Sequence, residues 1–106
     1  DDGAVQIIDW PWAMPGAAWL DPGLLLIEVI SSHATDPEAP DPDAVLARVA
    51  TDYRVDEEVL VDLLASILAY FEDAWRRPAP PGLPTLRAFQ KFQGDALRGW
   101  LQRRWP

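Results

Sequence analysis

Between Asp56 and Arg77 the apolar side chains recur with the period of a helix, and this stretch constrains the chain more than any other. Leu60, Leu64, Ile67, Phe71 and Trp75 follow one another at offsets of 4, 7, 11 and 15 residues. At about 3.6 residues per turn these positions share one face. Val59, Leu63 and Tyr70 widen that face, so the spacing predicts the central core helix here. Asp56 is placed to cap it, with Glu57 and Glu58 in the first turn beside the positive end of the dipole. Val55 before the cap and Leu60 after it fit a hydrophobic staple. Residues 78–84, Pro-Ala-Pro-Pro-Gly-Leu-Pro, cannot continue a helix and read as a stiff connector.

The same punctuation divides the rest of the chain. Asp21-Pro22 and Asp41-Pro42 each place a capping carboxylate before a proline suited to the first helical position. They predict a buried helix over about 22–33 and a short helix to about 52. The last helix is expected over about 85–104, with Leu86, Phe89, Ala96, Leu97, Trp100 and Leu101 as its apolar stripe. Val5, Ile7 and Ile8 favour a short strand over residues 4–10, after a turn signal at Asp2-Gly3. The expected fold is therefore mainly α: about four helices with one short N-terminal β-strand. All 106 residues fit one domain, with 1–20 as strand and loop and 21–106 as the helical part.

Charge and residue type narrow the chemistry. The net charge of -8 is unevenly distributed. Residues 1–73 carry 16 acidic and 2 basic side chains; residues 74–106 carry 7 basic and 1 acidic. An acidic front disfavours nucleic acid as a partner. Arg87, Lys91 and Arg98 share one face of the last helix, with Arg103 and Arg104 after them, but Phe89 and Trp100 belong to the apolar stripe. Without aromatics interleaved among the cations, this is a solvated face pairing with the acidic body, not a nucleic-acid surface. The absence of Cys excludes thiolate metal sites, and a single His, His33, excludes multi-His sites. His33 is explained as a cation at a helix C-terminus. No apolar run reaches the roughly 18 residues of a membrane span, so no membrane partner and a cytoplasmic location are expected.

Asp9 is the first candidate for chemistry. A carboxylate where a strand enters a loop suits a hard cation such as Mg²⁺, and equally suits a turn or cap. Trp10, Trp12 and Trp19 cluster after it, either lining a pocket or packing. The acidic group Asp36, Glu38, Asp41 and Asp43 is either a solvated loop or a surface that steers a cationic substrate.

Val5-Gln6-Ile7-Ile8-Asp9-Trp10, followed by Gly16 and Asp21, resembles the C-terminal part of the aminoglycoside phosphotransferase family, relatives of protein kinases. Actinobacterial members show the closest likeness, in Asp9-Trp10-Pro11-Trp12-Ala13 and in Pro80-Pro81-Gly82-Leu83-Pro84-Thr85-Leu86-Arg87-Ala88-Phe89-Gln90. The chain departs from the family pattern at Ala17, where Asp is common, and at Pro22-Gly23, where Leu-Ala is common. The resemblance implies the C-terminal helical lobe of a kinase-like fold, with ATP and Mg²⁺ as cofactors and a small-molecule hydroxyl as acceptor. Asp9 would be the metal-binding carboxylate. Asp21 would support the catalytic loop and cap the following helix.

The family's catalytic Asp and its Asn partner lie in a His-Gly-Asp-x-x-x-x-Asn loop, expected upstream of Asp1. No catalytic residue, phosphate-covering glycine loop or nucleotide-lobe lysine is found in these residues; the one lysine is Lys91. The 106 residues are thus expected to be the remainder of a longer enzyme, inactive alone, whose partner is its own N-terminal part. The alternative is a non-enzymatic helical interaction or dimerisation module, self-associating through the N-terminal strand.

Overall fold

The computed structural model describes residues 3–6 and 14–105. Among these, four helices form: α1 (Leu20–Thr35), α2 (Pro42–Tyr53), α3 (Glu57–Ala74) and α4 (Leu86–Arg104). Each boundary has a local cause. Asp41 caps α2, its side chain accepting from the Asp43 amide at 3.1 Å, with Pro42 at the first helical position. α2 ends at Arg54, whose φ of 53° is left-handed, while the Val55 amide reaches back to the Ala50 carbonyl. That pair of features is a Schellman closure, built here without the glycine that usually makes it inexpensive. It turns the chain so that Val55 packs on the core and α3 begins directly after Asp56.

α3 stops at Ala74, three residues before the expected Arg77. Pro78 forces the residue before it away from helical geometry, and the Arg77 amide closes a turn on the Ala74 carbonyl instead. The connector then turns sharply. The Leu83 amide bonds the Pro80 carbonyl at 3.1 Å, and Gly82 takes the positive φ of 79° that the turn requires after Pro81. Arg87 reaches back from α4 to the Pro78 carbonyl at 3.1 Å, tying the connector to the helix it precedes.

The core lies where the four helices meet. Leu26 of α1, Leu46 of α2, Leu60 and Leu64 of α3 and Leu97 of α4 are fully buried, with Trp100 almost so. α3 and α4 run antiparallel: Glu72 pairs with Arg98 near one end and Glu57 with Arg104 at the other. They pack tightly at Gly94, where an added Cβ would sit 3.3 Å from the Phe71 Cβ. Gly23 does the same for α1, within 2.9 Å of Leu63.

Several expectations change. Residues 4–6 form no strand; Val5 is largely exposed, and the rest of the expected strand, 7–10, lies outside the described residues. A strand needs a neighbour to accept its backbone hydrogen bonds, and no strand exists among the described residues. Asp21 is not the N-cap of α1. The turn from Ala17 to Leu20 runs straight into the helix, so Trp19 occupies the cap and Asp21 lies in the first turn. There it still favours the helix through the dipole. Val59 and Tyr70 are exposed, because the buried face of α3 runs through Leu60, Val61, Leu64, Phe71 and Ala74. On α4, Phe89 is half exposed while Gln90 and Gln93 are buried.

Candidate functional site

The resemblance put the chemistry at Asp9, which lies outside the described residues, as do Trp10 and Trp12. Of that neighbourhood, Trp19 is described: it is half-buried and packs against the core, favouring the packing role. Asp21 is exposed on the first turn of α1. Among the described residues no three His, Cys, Asp or Glu side chains converge as a metal cluster. Mg²⁺ characteristically takes only one or two protein carboxylates and completes its shell with water and substrate phosphates. A single carboxylate such as that of Asp9 is therefore a protein donor set compatible with this ion.

The described acidic residues mostly have structural partners. Asp36 accepts from the Glu38 amide at 3.0 Å, and Asp41 caps α2. Asp43 does more than the sequence suggested. Its Oδ1 accepts from the Trp100 indole at 3.1 Å and from Arg104 at 2.8 Å, and Arg104 also reaches Glu57 at 3.4 Å. The Arg104 guanidinium lies 4.9 Å from the Trp100 ring centroid. One polar knot thus joins the starts of α2 and α3 to the end of α4. Trp100 needs a partner for its single N–H when buried, and a carboxylate at the start of α2 supplies it. Sequence spacing gave no sign of this, because Asp43 and Trp100 are 57 positions apart.

The basic face of α4 is engaged as expected of a solvated face. Lys91 pairs with Asp95 at 2.7 Å, and Arg98 pairs with Glu72 and Asp95. Trp75, expected in the core, is half-buried, with the cations of Arg76 and Lys91 at 5.2 and 5.3 Å from its ring. No helix among the described residues is long and apolar enough to cross a membrane.

Two groups of nucleophilic or basic type remain on α1. Ser31 is buried, and its hydroxyl has no hydrogen-bond partner. His33 is half-buried, with Nδ1 3.1 Å from the Ala39 carbonyl. A carbonyl only accepts, so Nδ1 carries the proton. Two positions apart on a helix, Ser31 and His33 project roughly 200° from each other and do not form a nucleophile–base pair. Comparison with protein-family models, curated proteins and solved structures finds no match to this chain.

Proposed function

We propose that this chain is the C-terminal helical portion of an ATP- and Mg²⁺-dependent small-molecule phosphotransferase of the aminoglycoside phosphotransferase kind. The observation that carries the reading is the joint presence of Asp9-Trp10-Pro11-Trp12-Ala13 and the Pro80–Gln90 segment in one chain. The mainly helical fold is compatible with it. The Pro80–Gln90 segment also has a structural role in this chain. Pro80, Pro81 and Gly82 make the turn, Arg87 clamps it, and Gln90 is buried against the Arg87 guanidinium at 2.9 Å.

In this reading Asp9 holds Mg²⁺, which supplies charge neutralisation on the nucleotide phosphates. Asp21 favours the start of α1 and thereby the loop leading to it. Phosphoryl transfer breaks the bond from the γ-phosphorus to the bridging oxygen and forms one to the acceptor hydroxyl oxygen. The base that takes the hydroxyl proton belongs to the His-Gly-Asp-x-x-x-x-Asn loop upstream. The acceptor's identity does not follow from the fold.

The test is the full reading frame. It should carry that loop in frame before Asp1, and the complete protein should transfer phosphate from ATP to an alcohol. Asp9→Ala should abolish transfer while the helical signal and thermal midpoint stay unchanged. An intact Asp9→Ala enzyme, or transfer by the 106 residues alone, would refute the proposal.

A non-enzymatic interaction module is the second reading. Exposed Leu25 on α1 and Phe89 and Phe92 on α4, 60%, 50% and 39% accessible, favour it. Scattered apolar exposure is ordinary for a small protein, so this reading ranks second. It requires concentration-dependent self-association or a bound partner without any phosphate chemistry.

A further inference from the structure

Two arginines, Arg54 and Arg103, have no side-chain partner among the described residues, and of these only Arg103 lines a groove. Arg48, Arg76, Arg77, Lys91, Arg98 and Arg104 are paired with carboxylates, and Arg87 bonds a backbone carbonyl and Gln90. Arg54 is the left-handed residue closing α2, on the surface. Arg103 has no ion-pair or hydrogen-bond partner among the described residues, although this is an acidic protein with carboxylates to spare. It lines a groove of about 500 Å³ between the end of α1 and the second half of α4.

The walls of that groove are Ile30, Ala34, Pro42 and Ala96, and Gly99 opens space beside Arg103. An added Cβ at Gly99 would lie 3.9 Å from the Arg103 guanidinium, so the side chain lies along the bare backbone. His33 also lines the groove, with its Nδ1 engaged by the Ala39 carbonyl at 3.1 Å. The one acid present, Asp95, is already neutralised by Lys91 and Arg98. The groove therefore places a guanidinium without a protein partner beside the apolar side chains of Ala34 and Ala96 and the edges of Ile30 and Pro42. Ligand sites are typically concave and apolar with a few convergent polar groups, at volumes of roughly 300–1,000 Å³.

We propose that this groove binds a small organic anion, a carboxylate or phosphate head on an apolar body, with Arg103 gripping the head and Ile30, Ala34, Pro42 and Ala96 covering the body. Guanidinium presents two parallel N–H donors that match either head group. The inference does not depend on the phosphotransferase reading, because it uses neither Asp9 nor a nucleotide.

The experiment is a backbone-amide NMR titration of the purified chain with benzoate, phenyl phosphate and inorganic phosphate, each to about 10 mM, a range suited to millimolar affinity. Benzoate, phenyl phosphate or both should shift the amides of Ile30, Ala34, Ala96 and Gly99, and inorganic phosphate should bind at least roughly fivefold more weakly. Arg103→Gln should weaken the organic probe by roughly tenfold, whereas Arg54→Gln, removing the same charge elsewhere, should leave it within about twofold. Arg103 is exposed, so its variant should keep the thermal midpoint, which is measured alongside. A response to only one probe names the head group. The proposal is overturned by an absence of localised shifts, by equal weakening in both Gln variants, or by inorganic phosphate binding as well as the organic probes.

Discussion

Gly94 and Gly99 lie in the same helix and should respond to the same substitution with opposite sign. Both are interior to α4, where glycine costs about 1 kcal/mol relative to alanine in helix propensity. Propensity alone therefore predicts that Gly→Ala stabilises at either position. The packing differs. At Gly94 the new methyl would lie 3.3 Å from the Phe71 Cβ, closer than the roughly 3.5–4.0 Å of a relaxed carbon–carbon contact. The Phe71 Cβ cannot swing away as the tip of a long side chain can, because it is bonded to the backbone of α3. Relief requires α3 and α4 to separate by a few tenths of an ångström, whereas the Glu72 carboxylate at 3.7 Å is in ordinary contact and need not move. Overpacking of this kind costs about 1–3 kcal/mol. The net expectation for Gly94→Ala is a loss of about 1 kcal/mol. At Gly99 the nearest atom is the mobile Arg103 guanidinium at 3.9 Å, so Gly99→Ala should gain about 0.5–1 kcal/mol. The assay is urea denaturation followed by circular dichroism, with thermal midpoints as a second reading. One kcal/mol corresponds to about 4–8 °C at this size. The two variants should therefore move the midpoint in opposite directions at unchanged urea slope. If Gly94→Ala raises it as far as Gly99→Ala does, the α3–α4 contact yields freely and the close-approach argument is wrong.

Two further outcomes follow from the same contacts. Asp41→Ala should cost about 0.5–2 kcal/mol, since it removes the side-chain bond to the Asp43 amide. Asp56→Ala should cost only a few tenths in the same melt, because the Asp56 side chain makes no cap bond; equal losses would refute the distinction. A double-mutant cycle of Trp100→Phe with Arg104→Gln should return a coupling of about 0.5–1.5 kcal/mol, because both groups donate to one oxygen of Asp43. Additive losses would show that the knot at Asp43 is two independent contacts.

Much of the layout was legible along the chain because it depends on neighbours. Asp41-Pro42 starts α2, Asp56 precedes α3, and the prolines after Arg77 end one helix and aim the next. These effects act through backbone geometry and the orphan amides of a first helical turn, over four or five residues. Asp9, the residue on which the proposed chemistry rests, was singled out by its position before a loop and by a resemblance of motif, and lies outside the described residues, while Asp21 proved to be a first-turn acid and not a cap. The groove at Arg103 left no mark in the sequence, since its walls come from α1, α2 and α4.

What the tertiary structure alone decided is which face of each helix is inside. Leu, Phe and Tyr at helical spacing say that an apolar face exists, but its centre depends on where the neighbouring helices lie. Phe89 and Tyr70 sit on the margins of their stripes and are left half exposed, whereas Gln90 and Gln93 are buried. A buried amide is tolerated only where its polar atoms are satisfied. Arg87 donates to Gln90 from one turn away, and Gln93 donates at 2.7 Å to Glu28 on α1, 65 positions distant. The chain sequence by itself determined four helices and the breaks between them, through short-range backbone chemistry. Only the packing of those helices decided that two glutamines go in and a phenylalanine stays out, because the side of α4 that is covered depends on where its neighbours lie and because Gln93 finds its partner, Glu28, on another helix.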